Sequence, residues 1–180
     1  MVSVGAGVAA AAGAAGAPTV AVRKDDHRPW TDKWRKVLHS LAELRLAYSP
    51  EGRSASNLVV EVRAESFFLQ CRHLPEWLEN DLPSLVGITE ADIKACVNGS
   101  QELRWCRDIA DTEKHYRLDR GGTDSRIRTT TAAPEAYSVS IDIGWESPTP
   151  NVVDALALAE TCVQTWVDFL KSHGIEPPTI

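Results

Sequence analysis

The sequence lacks the features that mark exported, membrane-spanning and zinc-binding proteins. No Lys or Arg precedes Arg23, so the Ala- and Gly-rich start has no charged region of the kind that opens a secretory signal. That stretch is also too short and too weakly apolar to cross a bilayer as a helix. No CxxC pair occurs among the four cysteines, which argues against a metal site. We expect a cytoplasmic protein with no membrane contact, no metal and no cofactor, and a disordered tail over residues 1–28.

Several enzyme signatures are missing as well, namely a P-loop, GxGxxG, a GxSxG elbow and HExxH. The 180 residues carry 19 Lys and Arg against 25 Asp and Glu, a net charge of −6. This net negative charge argues against nucleic-acid binding through the overall charge of the protein. No self-similarity at periods of about 20 to 50 residues appears, which excludes a solenoid. Strands do not alternate with helices, which excludes a parallel sheet.

Apolar spacing of three and four residues predicts four main helices and a shorter one. Pro75 removes a backbone donor inside the longest of them, so we expect a kink or a restarted helix at Leu74–Glu76. Two runs rich in Thr, Val, Ile and Tyr predict a β-hairpin. The predicted helices are Lys33–Tyr48, Ser54–Asn80, Thr89–Val97, Ser100–Tyr116 and Val152–Ser172, and the predicted strands are Ile127–Thr131 and Ala136–Gly144.

The predicted fold is a mainly α helical bundle of about four main helices, with a β-hairpin at about 126–145 inserted before the last helix. Residues 29–176 are expected to form one domain. More than half of the circumference of the longest helix is apolar, which predicts a central position in the bundle. Its two apolar arcs are Val59, Val62, Ser66, Leu69, His73 and Trp77, and Val60, Phe67, Cys71, Leu74 and Leu78.

The predicted helix over 100–116 carries a polar stripe. Arg104, Asp108, Asp111 and His115 are spaced i, i+4, i+7 and i+11, so they share one face. An arginine, two carboxylates and an imidazole together are what a general acid–base site requires. The alternative is the solvated face that any amphipathic surface helix presents.

Other polar residues also allow two interpretations each. His73, on an apolar arc, is either a core histidine or a partner of Asp108, Asp111 or His115 across the bundle. Four arginines around Gly121–Gly122 form either a site for a phosphate backbone or a solvated loop. These arginines are Arg117, Arg120, Arg126 and Arg128.

Two segments resemble a known family. A His-Leu-x-acid-Trp run closes the longest predicted helix, and an Asp-x-Ala-Asp-x-x-Lys-His run follows on a later one. This pattern, over roughly Leu58 to Arg120, resembles uncharacterised bacterial HEPN-like proteins. The resemblance implies a helical bundle, a homodimer, and an RNA-related role in toxin–antitoxin or phage-defence systems, with RNA or a cognate antitoxin as partner. The matching positions are His73, Glu76, Trp77, Asp108, Ala110, Asp111, Lys114 and His115.

If the chain cleaves RNA, the resemblance assigns His115 to acid–base work, Arg104 or Arg107 to phosphate stabilisation, and Asp108 or Asp111 to orienting the histidine. The family pattern places four to six residues between its Arg and His, whereas Arg107 and His115 enclose seven. An extra residue turns the arginine by about 100° around the helix. The expected binding residues are His73, Trp77, Lys114, Arg117 and Arg120. The alternative function is a non-catalytic binding module for a partner protein or a small ligand.

Overall fold

The computed structural model describes residues 28–49, 57–114, 125–133, 136–143 and 151–179. The predicted tail lies outside these residues except for Arg28. Within them, none of the helices has both the length and the apolar character that a bilayer span requires. The elements are α1 (Trp30–Tyr48), α2 (Asn57–Arg72), α3 (Leu74–Asn80), a 3-10 turn (Leu82–Ser84), α4 (Glu90–Gly99), α5 (Gln101–Lys114), β1 (Ser125–Ala133), β2 (Ala136–Ile143), β3 (Asn151–Asp154) and α6 (Ala155–Ser172).

The predicted architecture is confirmed: the described residues are mainly helical, and the β1–β2 hairpin precedes the last helix. The longest predicted helix is interrupted at His73, where α3 restarts with Pro75 in its first turn. Proline is tolerated there because the first-turn amides have no partner within the helix. The expected restart at Leu74–Glu76 is therefore also confirmed.

The start of α1 differs from its prediction. The helix begins at Trp30, and its N-cap residue, Pro29, makes no side-chain cap. Instead the buried carboxylate of Asp81 accepts a hydrogen bond of 2.9 Å from the Trp30 amide. A distant carboxylate thus stabilises the positive end of the helix, which is a tertiary contact that local spacing does not indicate.

The last helix begins later than predicted. Residues Asn151–Asp154 form β3, which pairs antiparallel with β2, so the sheet has the order β1-β2-β3. Helix α6 then starts at Ala155, where the Asp154 carboxylate accepts a hydrogen bond of 2.9 Å from the Ala157 amide. At its other end, Gly174 adopts a φ of +76°, which suits the predicted stop.

Helix α2 contacts α1, α3, α5, α6 and the sheet, as its predicted central position requires. Only one of its two apolar arcs is buried, however. Val60, Phe67 and Cys71 lie in the core, whereas Val62 and Leu69 on the other arc are 50% and 41% exposed. The neighbouring elements therefore cover one side of the helix and leave the arc of Val62 and Leu69 partly in solvent.

Tyr48 connects three elements near the end of α1. Its hydroxyl accepts a hydrogen bond of 2.8 Å from the Val139 amide in β2. The same hydroxyl lies 3.2 Å from the Val139 carbonyl and 3.2 Å from Asp154 Oδ2. Burial raises the pKa of Tyr48 well above its ordinary value, and the carboxylate of Asp154 adds to this.

We predict that Tyr48→Phe lowers the free energy of unfolding by about 1–3 kcal/mol, because the Val139 amide loses its acceptor. The difference from the parent should shrink above pH ~10, where an unfolded tyrosine ionises but the folded Tyr48 does not. Denaturant unfolding at several pH values measures both effects. Ser49→Ala, which removes an exposed hydroxyl, is the control and should cost less at every pH. A Tyr48→Phe cost that stays constant up to pH ~11 would contradict this account.

Candidate functional site

A cavity of about 200 Å³ lies where α2 to α6 converge. Its innermost lining is buried and consists of thiols, aliphatic groups and one indole. Charged and amide groups with greater exposure complete the lining toward solvent. The buried lining residues are Cys71, Ile93, Leu103, Cys106 and Trp166, the half-buried ones at the apolar wall are Pro75 and Val97, and the polar ones are Arg72, Glu79, Lys94, Asn98 and Arg107.

Three buried cysteines meet beside this cavity, one from each of α2, α5 and α6. The Cys106 thiol donates a hydrogen bond of 3.6 Å to the Phe68 carbonyl, and the Cys162 thiol donates one of 3.5 Å to the Glu102 carbonyl. All three cysteines are free. No group of three or more His, Cys, Asp or Glu side chains in the described ranges is arranged to hold a metal ion.

The three thiols differ in acidity because they contact one another. The S–H groups of Cys106 and Cys162 hold the pKa of the Cys71 thiol well below its usual range, and the indole of Trp166 acts in the same direction. The pKa of Cys106 is raised by Cys162, by Cys71 and by burial. Only one thiol of such a group loses its proton readily, since a second negative charge would lie next to the first.

Among the described residues, the buried indole N–H of Trp166 has no hydrogen-bond partner of normal geometry. The side chain of this residue is 1% exposed. The N–H still lies close enough to Cys71 to lower the pKa of that thiol. An indole nitrogen is only a donor, so a missing acceptor leaves it unsatisfied, at a cost of about 1–3 kcal/mol.

Three cations line the outer part of the cavity, and each has a carboxylate partner. Arg72 bonds Asp111 and Glu76, Arg107 bonds Asp108, and Lys94 bonds Glu90. A guanidinium has five N–H donors, so one or two hydrogen bonds leave others available. Glu79 is the carboxylate in the lining. The three cations of the lining are thus paired with carboxylates, and what they offer a ligand is the N–H groups that these pairs leave unused.

The two segments that carry the family resemblance lie together. Arg72 Nε is 3.1 Å from Asp111 Oδ1, and Arg72 Nη1 is 3.0 Å from Glu76 Oε1. His73 Nδ1 is 3.3 Å from the other Glu76 oxygen. Burial opposes ionisation of Glu76, but hydrogen bonds from His73 and Arg72 outweigh it and hold the pKa of Glu76 below its usual range. The arrangement is a chain of four polar side chains across α2, α3 and α5.

His73 does not lie in the core. Its side chain is 37% exposed, so the core interpretation was wrong. The reason is that His73 lies on the arc of Val62 and Leu69, which the neighbouring elements leave partly exposed. The recorded partner of His73 is Glu76, not Asp108 or Asp111, and the latter is reached only through Arg72.

The polar stripe of α5 is not one solvated face. Arg104 is exposed, Asp111 is half-buried, and Asp108 is only 6% exposed. The Arg107 Nε atom lies 3.3 Å from Asp108 Oδ1. His115, Arg117 and Arg120 lie outside the described residues, and the structure describes only the backbone of Lys114, Arg126 and Arg128.

Trp77, an expected binding residue, has a packing role. The ring is half-buried against the core. The ammonium groups of Lys33 and Lys36 lie 5.6 and 5.8 Å from its centroid, within the range of cation–π interactions. Lys33 also donates a hydrogen bond of 2.9 Å to Gln70, and burial lowers its pKa. Trp77 therefore joins α3 to α1.

Sequence reasoning missed Trp166, Arg72 and Lys94. The spacing of Cys162 and Trp166, four residues apart on a predicted helix, places both on one face, which was an available signal. Nothing local indicates that this face meets Cys71 and Cys106. The cavity exists only through the tertiary packing of helices that are distant in sequence.

The chain matches no protein-family model, and the searches of curated proteins and of solved structures found no match.

We predict that a double-mutant cycle of Arg72→Ala and Asp111→Ala yields a coupling of about 0.5–1.5 kcal/mol. Both side chains are less than a third exposed, at 28% and 31%, so solvent screens this pair only in part. Denaturant unfolding of the four proteins measures the coupling. The pair Arg35 and Asp32, with 61% and 48% exposure, is the control and should show a smaller coupling. Equal coupling in the two cycles would show that the Arg72–Asp111 bond does not hold α5 to α2.

Proposed function

We propose that the protein is a non-catalytic binding module whose cavity takes a small, mainly apolar ligand with an anionic end. The observation that carries this proposal is the Trp166 N–H, a buried donor at the wall of a cavity that makes no hydrogen bond of normal geometry within the described residues and whose nearest interaction is with the Cys71 sulfur. Buried polar groups in folded proteins almost always have partners. A ligand atom that accepts this hydrogen bond would supply the missing one.

The volume of the cavity limits the size of the ligand. An engineered apolar cavity of about 150 Å³ in another protein holds a benzene molecule. At about 200 Å³, this cavity has room for one aromatic ring with a short substituent. The walls formed by Ile93, Val97 and Leu103 favour such an apolar body, because its burial removes apolar surface from water.

The hydrogen-bond donors of the lining favour an anionic end. Arg72 and Arg107 have guanidinium N–H groups beyond those that bond their own carboxylate partners, and these donors suit a negative acceptor at the polar side of the cavity. A carboxylate can accept a bidentate hydrogen bond from a guanidinium. Aromatic and short branched aliphatic carboxylic acids therefore combine the properties that the cavity selects.

We predict that aromatic carboxylic acids of one ring raise the thermal midpoint of the protein, whereas the matched neutral alcohols do so less. A ligand at about 100 times its Kd stabilises the folded state by about 2.7 kcal/mol. Trp166→Phe, which removes the N–H donor together with part of the ring from the wall, should weaken binding at least about fivefold, the equivalent of one hydrogen bond of about 1 kcal/mol. Calorimetric titration measures the affinities.

A substitution that fills the cavity tests more directly whether the ligand binds inside it. Val97 lines it and Val86 is 85% exposed elsewhere, so Val97→Phe and Val86→Phe make the same chemical change in two environments. Val97→Phe should abolish binding, and Val86→Phe should leave it unchanged. If acids, alcohols and unsubstituted aromatic hydrocarbons all fail to bind the parent protein, the cavity is not a ligand site.

An RNA-directed role is the second candidate, and a basic groove favours it. The groove lies between α1 and α2, and its lining includes Arg35, Lys36 and His39 but no carboxylate. Lys36 contacts the Trp77 ring, which lies one residue from Glu76 and four from His73. A groove with this charge can follow a phosphate backbone, and an imidazole beside a carboxylate can transfer protons.

We predict that, if RNA is the ligand, single-stranded RNA binds with an affinity that falls as salt concentration rises, and that Lys36→Ala reduces both the affinity and the salt dependence. Lys171→Ala, on the exposed end of α6, is the matched control. Cleavage would be tested by His73→Ala and His115→Ala, each of which should abolish it. Salt-independent or absent RNA binding by the parent protein would exclude this candidate.

A further inference from the structure

We propose that Cys71 is a peroxide-sensitive thiol and that hydrogen peroxide converts Cys71 and Cys106 into a disulfide across α2 and α5. This proposal goes beyond ligand binding and does not depend on it. It rests on three observations: the mutual contact of three buried thiols, the hydrogen bond from Cys106 to the α2 backbone one turn before Cys71, and the access that the cavity gives to two of the thiols.

The packing of the helices brings the two sulfurs together. The Cys106 thiol reaches the Phe68 carbonyl of α2 at 3.6 Å, so α5 approaches the α2 backbone closely at this level. Cys71 lies three residues after Phe68, on the adjacent turn of the same face of α2. Cys71 and Cys106 interact directly through their side chains. A disulfide needs such a close approach of two helices at small residues.

Neighbouring donors favour the thiolate at Cys71. The S–H groups of Cys106 and Cys162 and the N–H of Trp166 all lower the pKa of the Cys71 thiol. Thiolates react with peroxides and thiols do not, so donors that stabilise the thiolate raise reactivity. The Trp166 N–H is also the donor offered to a ligand, so a bound ligand and the thiolate would compete for it.

Cys71 differs from an inert core cysteine because it lines a cavity that hydrogen peroxide can enter. Cys71 and Cys106 both line the cavity, whereas Cys162 does not. Hydrogen peroxide is small and uncharged, so it can enter a space of about 200 Å³ that larger reagents do not fit. This difference also selects Cys106, and not Cys162, as the second cysteine of the disulfide.

The chemistry balances with hydrogen peroxide as the only oxidant. The Cys71 thiolate attacks one peroxide oxygen, and the O–O bond breaks. The departing hydroxide takes up the proton that the Cys71 thiol lost on ionisation and becomes water. Cys71 is now a sulfenic acid. The Cys106 sulfur then attacks the Cys71 sulfur, the S–S bond forms, and the S–O bond breaks. The released hydroxide takes the Cys106 proton as a second water, so two thiols are oxidised and one peroxide is reduced.

Cys96 provides a contrast within the same chain. It is half-buried on α4 and thus more exposed than Cys71. Burial raises the pKa of its thiol to about 11, and no neighbouring donor counteracts this. Exposure alone therefore predicts that Cys96 reacts first, whereas the arrangement around Cys71 predicts the opposite order.

The test treats the full-length protein, without added ligand, with graded hydrogen peroxide. Remaining thiols are then alkylated in denaturant, and the peptides are mapped by mass spectrometry. We expect the intact mass to fall by two hydrogens, a cross-link between Cys71 and Cys106, and Cys96 still reduced. Cys106→Ser should instead accumulate the Cys71 sulfenic acid, which a 1,3-dione reagent traps. Cys96→Ser should behave as the parent.

Four further variants test the access route and the reacting residue. Cys71→Ser and Cys71→Ala should both slow oxidation at least about tenfold, with thermal melting used to show that each is folded. Val97→Phe should slow oxidation by closing the access route, while Val86→Phe should not. Oxidation of Cys96 before Cys71, a Cys71–Cys162 cross-link, or a rate unaffected by Val97→Phe would each overturn the proposal.

Discussion

The meeting of α2, α5 and α6 through three thiols and one indole is the contact on which the candidate site depends. Cysteine is small, so helices joined by cysteines approach closely enough for a thiol to reach a backbone carbonyl of the neighbouring helix. The close approach on this side leaves a space on the other, toward α3 and α4. The same packing buries the Trp166 N–H, which makes no hydrogen bond of normal geometry within the described residues. One arrangement therefore produces the cavity, the acidity of Cys71 and the unsatisfied donor.

An unsatisfied donor in a core lowers the stability of the fold, and a single substitution would remove it. Phenylalanine in place of Trp166 would remove the N–H and retain most of the apolar surface. An indole N–H without a good acceptor at a cavity wall is thus better evidence for a ligand than the same group in a closed core. A ligand acceptor converts this cost into a hydrogen bond that exists only in the complex, which is a source of specificity.

Much of the fold could be predicted from local patterns, and the failures share one cause. The helical spacing of α1, the restart near Pro75 and the β1–β2 hairpin are properties of short segments, and each is present as expected. The exposure of Val62, the cap of α1 by Asp81 and the strand at Asn151–Asp154 depend on which element lies next to the segment. Periodicity identifies an apolar arc but not the neighbour that covers it.

The candidate site, like the fold, could be predicted only where a local sequence pattern decides the outcome. The polar residues named from sequence are partly brought together, since Arg72 connects Asp111 to Glu76 and His73. Yet Asp108 is buried and His73 is exposed, the reverse of what a solvated stripe and a core histidine require. The cavity itself has no local signature, because each of its helices contributes only a few side chains at ordinary helical spacing.

The most direct test of the central claim is the indole N–H resonance of Trp166 in a nitrogen-15 correlation spectrum, assigned by its loss in Trp166→Phe. The sequence has six tryptophans, so five other indole signals serve as internal references. On titration with an aromatic carboxylic acid of one ring, we predict that the Trp166 signal alone shifts downfield as its proton is donated to the ligand. A signal that stays in place while the ligand binds elsewhere, or that shifts equally with the other indoles, would contradict the claim.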